Sequence, residues 1–126
     1  MSKSNKEIAV AFYTMALFEG RVEEAFQLYG GPYYRQHNPL IADGAEGVQK
    51  FVAWILQNHP EARGEIKRAF AEDDHVILHC HWFGLSDSPL GEAVVDIFRF
   101  EDGKVVEHWD VIQPIPAQAA NANTMF

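Results

Sequence analysis

Three ionisable side chains interrupt two apolar runs near the end of the printed sequence. Asp96 lies in the first run, and His108 and Asp110 lie in the second. Charge is costly in apolar surroundings, so ionisable groups that persist there usually have partners or a function. A carboxyl group in such a place can have its pKa raised toward ~6–7, which suits acid and base roles at neutral pH. Asp110 is therefore predicted to abstract a proton next to a carbonyl group or to protonate the carbonyl oxygen, with His108 and Asp96 tuning it.

Each of these residues also has a purely structural explanation. Asp110 would then be a carboxylate bonded to His108 or to a backbone amide, and His108 would be a core histidine satisfied by Asp96. A buried Asp96–His108 pair adds little net stability but is costly to break. The residue types alone leave both explanations open.

The two runs are predicted to form a β-hairpin, and its turn decides which side chains share a face. A two-residue turn would put Asp96 on the opposite face from His108 and Asp110. A three-residue turn over 101–103 pairs Asp96 with His108 and gathers all three groups on one apolar face. We favour the second register, because each ionisable group can then satisfy another. Phe98 is predicted to lie on the same face and to contact a bound substrate.

Five residues outside the hairpin are candidates for substrate binding, three of them in the first half of the chain. His37 and Asn38 follow the first predicted strand and could donate hydrogen bonds to a substrate carbonyl, although an Asn-Pro pair is also a common way to open a turn. Trp54 lies off the inward stripe of its helix, so we expect it at the mouth of a chamber or in ordinary packing.

His79 and His81 alternate on one face of a predicted strand, with Cys80 on the other. This spacing favours two histidines that add polarity to a binding pocket and place a substrate. The same spacing occurs in metal sites, where Asp96 and His108 could complete a set of four ligands. Pocket polarity is the favoured alternative, so no metal is predicted.

The elements that must position these groups follow from hydrophobic periodicity and from turn residues. Helices are predicted over 4–19, 21–29 and 43–58, and strands over 33–38, 66–72, 75–85, 92–101 and 104–113, with an extended tail over 114–126. This order predicts one α+β domain over 1–126, with three N-terminal helices on one face of a curved, mostly antiparallel sheet. A chamber between helices and sheet is a suitable ligand site.

Composition narrows the choice of partners. The 126 residues carry 18 acidic and 10 basic side chains, for a net charge of −8. Nucleic acids and anionic membranes attract basic surfaces, so neither is an expected partner. The single cysteine fits a cytoplasmic location. The outer face of the hairpin, which includes Trp109 and several aliphatic residues, is predicted to form a homodimer contact.

Four segments resemble the SnoaL-like polyketide cyclases of the nuclear transport factor 2-like superfamily. They are 34–39 (YRQHNP), 68–76 (RAFAEDDHV), 96–104 (DIFRFEDGK) and 106–114 (VEHWDVIQP). The resemblance implies a helix-covered cone, usually dimeric, and aldol-type ring closure without a metal or an organic cofactor. Asp110 matches the acid/base aspartate of those cyclases, whereas Asp96 replaces a pocket-lining histidine.

Taken together, the residues and the resemblance predict a cofactor-independent acid/base enzyme, a cyclase or an isomerase or hydrolase, that acts on a small hydrophobic carbonyl compound. A non-catalytic protein that binds a small hydrophobic ligand is the main alternative, and a protein that serves only as an interaction module is a third. The pKa of Asp110 separates the first two.

Overall fold

The computed structural model describes residues 3–126 and confirms the predicted order of elements. The helices are Asn5–Tyr13 (α1), Val22–Tyr29 (α2) and Gly44–Asn58 (α3), and the strands are Gly30–Gln36 (β1), Arg63–Glu72 (β2), His75–Phe83 (β3), Glu92–Glu101 (β4) and Lys104–Pro114 (β5). A π-helical turn, Thr14–Phe18, extends α1. Within residues 3–126, none of the helices has the length and apolar character that crossing a membrane requires.

The five strands form one curved sheet in the order β1-β5-β4-β3-β2. All neighbouring pairs are antiparallel except β1 and β5, which run parallel. The helices cover the inner face, as the α+β pattern predicts. The candidate residues of the hairpin therefore lie on β4 and β5, near the middle of the sheet.

The side chain of the residue before α1 caps that helix, whereas the side chain before α3 does not cap its helix. Ser4 and Glu7 make a reciprocal capping box, in which each side chain accepts a hydrogen bond from the other's backbone N–H. Asp43 precedes α3, but its carboxylate accepts from the backbone N–H of Gln36 at 2.7 Å. That bond ties the start of α3 to the end of β1, where the chain approaches the hairpin.

The turn of the β4–β5 hairpin differs from the prediction. Asp102 and Gly103 both have positive φ angles, and Glu101 pairs with Lys104. This is a two-residue turn, for which Asp-Gly is a favoured sequence because its strand twist requires positive φ at both positions. The predicted three-residue turn is therefore wrong.

The shorter turn alone would place Asp96 on the opposite face from His108 and Asp110, but a β-bulge in β5 brings them back to one face. Phe100 pairs with Val105, whereas Arg99 pairs with Glu107, so β5 contains one extra residue at this point. Because the side-chain period of a strand is two, the extra residue returns the rest of β5 to the other face. Asp96 is consequently opposite Asp110 rather than His108, yet all three groups face the helices.

Aromatic packing places α1 over the inner face of the sheet. Phe12 is almost fully buried and makes edge-to-face contacts with Phe26 of α2 and Phe98 of β4, with ring centroids 5.0 and 5.8 Å apart. The neighbouring Tyr13 contacts Trp82 of β3 in the same way. These contacts hold the end of α1 directly above the central strands.

The last twelve residues have no helix or strand but are not detached from the fold. They run back over the outer face of the sheet, where the Phe126 ring stacks on His81 with centroids 4.1 Å apart. Ile115 begins this path by donating its N–H to the carbonyl of Gly91. The tail therefore covers part of the outer face near β3.

Candidate functional site

A narrow apolar cavity lies between α1, α3 and the inner faces of β3, β4 and β5. The centres of water-sized molecules can occupy about 40 Å³ inside it. This is roughly three times the space that one water molecule needs by the same measure. The walls are largely apolar and include Phe12, Leu17, Val48, Ile55, Val94 and Phe98. Partly exposed side chains mark its mouth; they include Ile41, Phe51, Leu85 and Ile112. Asp96, His108 and Asp110 are the ionisable acid and imidazole groups in its wall.

His108 connects the polar groups of the cavity. Its Nε2 lies 2.8 Å from Oδ1 of Asp96 and 3.9 Å from Oδ2 of Asp110. Its Nδ1 lies 2.7 Å from Oε1 of Gln36. All of these side chains except Gln36 are at least nine-tenths buried, so the contacts act with little competition from water.

Gln36 determines which nitrogen of His108 carries a hydrogen. Its Oε1 also accepts the backbone N–H of Asn38 at 3.0 Å, so two donors converge on one carbonyl oxygen. Nδ1 of His108 must therefore donate, and Nε2 shares one further proton with Asp96. The pair is either imidazolium with carboxylate or imidazole with carboxylic acid, and Oδ2 of Asp96 is an acceptor in both.

Asn38 holds Asp110 in place. Its Nδ2 donates to both carboxylate oxygens, at 2.9 and 3.1 Å, and its Oδ1 accepts the backbone N–H of Leu40 at 2.9 Å. The sequence suggested that Asn38 would donate to a substrate, but its donors are directed at Asp110. Asn38 is thus a positioning residue for the candidate base.

Burial raises the pKa of Asp110, and the negative charge of Asp96 adds to this effect. The positive charge of His108 and the hydrogen bonds from Asn38 act in the opposite direction but do not outweigh burial. A carboxyl with a raised pKa can both release and accept a proton closer to neutral pH than an ordinary aspartate.

The raised pKa predicts how stability depends on pH. Folded protein keeps a proton on Asp110 at pH values where an unfolded aspartate, with a pKa of ~3.9, has lost it. The free energy of unfolding should therefore fall as pH rises from ~3.9 through the raised pKa, and Asp110→Asn should remove this contribution. Urea unfolding of both proteins across that range measures the difference, with exposed Asp87→Asn as the control. The same pH dependence in wild type and Asp110→Asn would contradict the raised pKa.

His79 and His81 do not face the cavity, contrary to the sequence-based expectation. Cys80 and its alternate neighbours on β3 are buried on the inner face, so both histidines lie on the outer face. His79 is bonded to Arg68, and His81 contacts the carbonyl of Leu90 at 2.9 Å. The sheet separates them from Asp96 and His108, so the four-ligand metal set considered from the sequence does not form.

A smaller set of ligand atoms is present inside the cavity. One atom each from Asp96, His108 and Asp110 lie within 4.8 Å of one another. A cation there would have to take the Nε2 lone pair of a neutral His108, which would replace the hydrogen bond to Asp96. These three residues are the ones in the described chain that could hold a metal at this site.

His37 is also on the outer face, because residues 35 and 37 point away from the helices while Gln36 points inward. Its ring stacks on Trp109 at 4.7 Å, and its Nε2 lies 2.6 Å from Glu107. Glu107 also accepts from Arg99 at 2.7 Å. Burial alone would raise the pKa of Glu107, but these two partners outweigh it and lower the pKa.

Trp54 lies at the surface of α3 and does not line the cavity. Its ring stacks on Phe51, which does reach the cavity, with centroids 6.0 Å apart. Trp54 belongs instead to a shallow depression beside Leu40 and Lys50. Of the predicted binding residues, the structure brings Asn38 and Phe98 to the site and leaves His37, His79, His81 and Trp54 outside it.

Three polar side chains at the cavity were not among the predicted site residues. Gln36 bonds His108, Tyr34 stacks its ring on His108 at 6.3 Å, and the hydroxyl of Tyr13 accepts from Nε1 of Trp82 at 2.8 Å. Gln36 and Tyr34 lie in the YRQHNP segment, so their inward alternation was available as a signal. Tyr13 gave no such signal, because its partner is 69 residues away.

A family model and several solved structures match most of the chain. The model of the SnoaL-like domain matches residues 9–108. No match was found among curated protein sequences. A candidate polyketide cyclase of known structure from Acidithiobacillus ferrooxidans is 22% identical, with a TM-score of 0.68 over 89% of this chain and 91% of that one.

Two further solved structures show the same fold. A candidate polyketide cyclase from Bacillus cereus is 21% identical, with a TM-score of 0.71 over 83% of this chain and 71% of that one. AclR, a candidate hydroxylase from Streptomyces galilaeus, is 23% identical, with a TM-score of 0.64 over 86% and 88% of the two chains. Such identities establish the fold alone. Because the matched segment runs from α1 into β5, the chain belongs to the SnoaL-like family and has its α+β cone of the nuclear transport factor 2-like type.

Proposed function

We propose that the protein is an acid/base enzyme that needs no metal or organic cofactor and acts on a small hydrophobic compound with a carbonyl group. The observation that carries the proposal is Asp110, a nearly buried carboxyl with a raised pKa at the wall of an apolar cavity. Asn38 donates hydrogen bonds to both oxygens of Asp110, which holds the carboxyl in one orientation toward a bound substrate.

The proposed reaction begins with the removal of a proton. The Asp110 carboxylate accepts a hydrogen from the carbon next to the carbonyl group, and the electron pair of that C–H bond forms an enolate. In an aldol reaction the enolate carbon then attacks a second carbonyl carbon, and the resulting alkoxide takes the proton back from Asp110. The proton is returned, so no oxidant, reductant or other reactant is consumed.

The size of the cavity supports a small reacting group. About 40 Å³ accommodates a carbonyl and its neighbouring atoms, and the rest of the molecule would extend through the mouth. Leu85 at the mouth is held by Glu92, which accepts the backbone N–H groups of Leu85 and Ser86. The candidate polyketide cyclases with this fold support aldol-type ring closure as one such reaction, whereas the candidate hydroxylase supports a wider range of chemistry on the same fold.

Deuterium exchange tests the proposal without knowledge of the natural substrate. Wild-type protein in D₂O is expected to accelerate exchange of the α-hydrogens of 2-butanone, cyclohexanone or 2,4-pentanedione above the buffer rate, and treatment with EDTA should not change that rate. Binding of these ketones without exchange would overturn catalysis. That outcome favours the second candidate, a binding protein, which the small cavity and the hydrogen bonds from Asn38 to Asp110 also suit.

We also propose that two copies associate through the outer face of the sheet. Ile77, Ile97 and Trp109 lie side by side across β3, β4 and β5, and Val95 and Val111 form the next row. Val111 is 69% exposed, which is unusual for an aliphatic side chain within a row of others. The Phe126 ring of the tail lies against His79 and His81, whereas Ile77 near the other end of β3 is 40% exposed. We propose separately, from the single cysteine, that the protein is cytoplasmic.

Val111→Lys is expected to convert the dimer into a monomer, because it places a charge within the apolar contact. Sedimentation equilibrium of wild type and variant at micromolar concentrations measures the change. Leu56→Lys is a matched control, since Leu56 is 62% exposed on α3 but lies on the helical side of the fold. A monomeric wild type, or a variant that stays dimeric, would contradict the proposed interface.

A further inference from the structure

We propose that Tyr34 and Gln36 together donate hydrogen bonds to the carbonyl oxygen of the substrate, so that both are catalytic residues. The inference deepens the proposed function, on which it rests. When Asp110 removes a proton from the neighbouring carbon, negative charge develops on that oxygen, and donors already aimed at it lower the energy of the transition state. Asp110 alone supplies a base but no such donor.

Gln36 has an amide group whose orientation is fixed and whose hydrogens are unused. Its Oε1 accepts from Nδ1 of His108 at 2.7 Å and from the backbone N–H of Asn38 at 3.0 Å. These two donors determine which end of the amide is the oxygen, so the other end is Nε2 with its two hydrogens. Among residues 3–126, no group accepts a hydrogen bond from Nε2. Gln36 lines the cavity, where a substrate oxygen can meet these hydrogens.

The hydroxyl of Tyr34 is a second donor without a partner. Tyr34 lines the same cavity, and no group of residues 3–126 accepts a hydrogen bond from its hydroxyl. The hydroxyl oxygen reaches open space, because it is not among the fully enclosed side-chain atoms that lack a partner in this part of the chain. Burial, with the negative charges of Asp96 and Asp110, raises the pKa of Tyr34 well above its ordinary value. The hydroxyl therefore keeps its hydrogen and is free to donate it.

Aromatic packing fixes the ring of Tyr34. The ring meets Phe26 edge to face with centroids 4.9 Å apart, and it is tilted against Phe12 at 6.1 Å. It also stacks on His108 at 6.3 Å. These three contacts restrict the ring before any substrate binds. Donors that are fixed in advance need no reorganisation when charge develops on the substrate oxygen.

Two other donors near the cavity already have partners. The hydroxyl of Tyr13 meets Nε1 of Trp82 at 2.8 Å and lies beside Asp96. The amide of Asn38 is directed at both oxygens of Asp110. A substrate oxygen that took either donor would break an existing hydrogen bond, whereas the donors of β1 gain a partner when substrate binds.

The donor pair and the candidate base belong to adjacent strands. Gln36 on β1 is opposite His108 on β5, and Asp110 is two residues further along β5 on the same face. Tyr34 comes two residues before Gln36, so its side chain shares the inner face. A carbonyl oxygen bound by the two donors therefore keeps the neighbouring carbon in the cavity that Asp110 lines. Asp110 takes the proton from that carbon, and neither donor loses a hydrogen of its own.

Tyr34→Phe removes one oxygen atom and keeps the ring contacts. It is expected to lower α-hydrogen exchange of 2-butanone about 100-fold, the scale typical of losing one such donor. The loss should appear in kcat rather than in KM, because the enolate oxygen accepts more strongly than the ketone oxygen. Gln36→Glu keeps an oxygen for His108 but replaces the amide hydrogens with negative charge, so it should also slow exchange. Tyr33→Phe, which loses a hydroxyl on the outer face, should keep the wild-type rate.

The carbonyl ¹³C NMR signal of labelled 2-butanone reports the hydrogen bonds without turnover. Hydrogen bonding to the oxygen moves this signal to higher chemical shift, so the value extrapolated to full occupancy should be lower in Tyr34→Phe than in wild type. A 3-fluorotyrosine in place of Tyr34 is a stronger donor and should move the signal higher, which serves as the test if Tyr34→Phe fails to fold.

Equal bound shifts in these proteins, or wild-type exchange rates in Tyr34→Phe or Gln36→Glu, would overturn the inference. A shift that depends on the Tyr34 hydroxyl, in a wild-type protein that exchanges no ketone hydrogens, would uphold the donor pair and defeat the proposed enzyme activity.

Discussion

Asp110→Asn is expected to lower the rate of α-hydrogen exchange by at least ~100-fold, the scale typical of losing a general base. The amide has nearly the same shape as the carboxylate but cannot accept the proton. The folded structure should persist, because Asn38 can still meet the carbonyl oxygen of the new side chain. The measurement is exchange of cyclohexanone hydrogens in D₂O, followed by ¹H NMR.

The control for this variant is Asp87→Asn, which makes the same change at an exposed position in the loop before β4. It should retain the full exchange rate. Circular dichroism should show the same folded spectrum for both variants. An Asp110→Asn protein that is folded and exchanges ketone hydrogens at the wild-type rate would remove Asp110 from the mechanism.

His108→Leu is expected to be the most destabilising of the changes considered, by about 3–5 kcal/mol, because it leaves a buried carboxylate without its partner. Asp96 would then have neither oxygen engaged within residues 3–126, and Oε1 of Gln36 would lose its side-chain donor. Leucine keeps much of the contact with the Phe98 ring, whose centroid is 4.9 Å from that of His108. Urea unfolding at pH 7 measures the loss.

The double variant Asp96→Leu/His108→Leu separates the loss of the pair from the loss of packing. Replacing both members of a buried pair with apolar residues is often far less costly than removing one. The double variant should therefore be more stable than His108→Leu alone. A double variant that is less stable by the full additional cost of a second core substitution would show that the two side chains contribute independently, and would contradict the coupling expected of the pair.

The hairpin illustrates what the sequence could and could not predict. The inward face of Asp96, His108 and Asp110 followed from apolar neighbours and from the cost of isolated charges. The actual turn and bulge did not, because two combinations of turn length and bulge give the same faces. An Asp-Gly turn alone would put Asp96 on the opposite face from His108 and Asp110. The extra residue in β5 returns all three groups to one face.

The errors in the site have a similar physical origin. Both faces of β3 are rich in apolar or aromatic residues, so alternation did not reveal that Cys80 points inward and His79 outward. The burial of a free cysteine was the available signal, because cysteine behaves as a small hydrophobic residue. Tyr13 meets Trp82 only when α1 packs on the sheet, and that contact depends on the whole fold.

Direct titration of the Asp110 carboxyl tests the central claim. The ¹³C NMR signal of this carboxyl, identified by its loss in Asp110→Asn, should have a midpoint above the ~3.9 of an ordinary aspartate. The rate of ketone hydrogen exchange should rise with pH over the same interval, because the carboxylate is the active form. A midpoint at or below the ordinary value, or an exchange rate that does not follow it, would contradict the account.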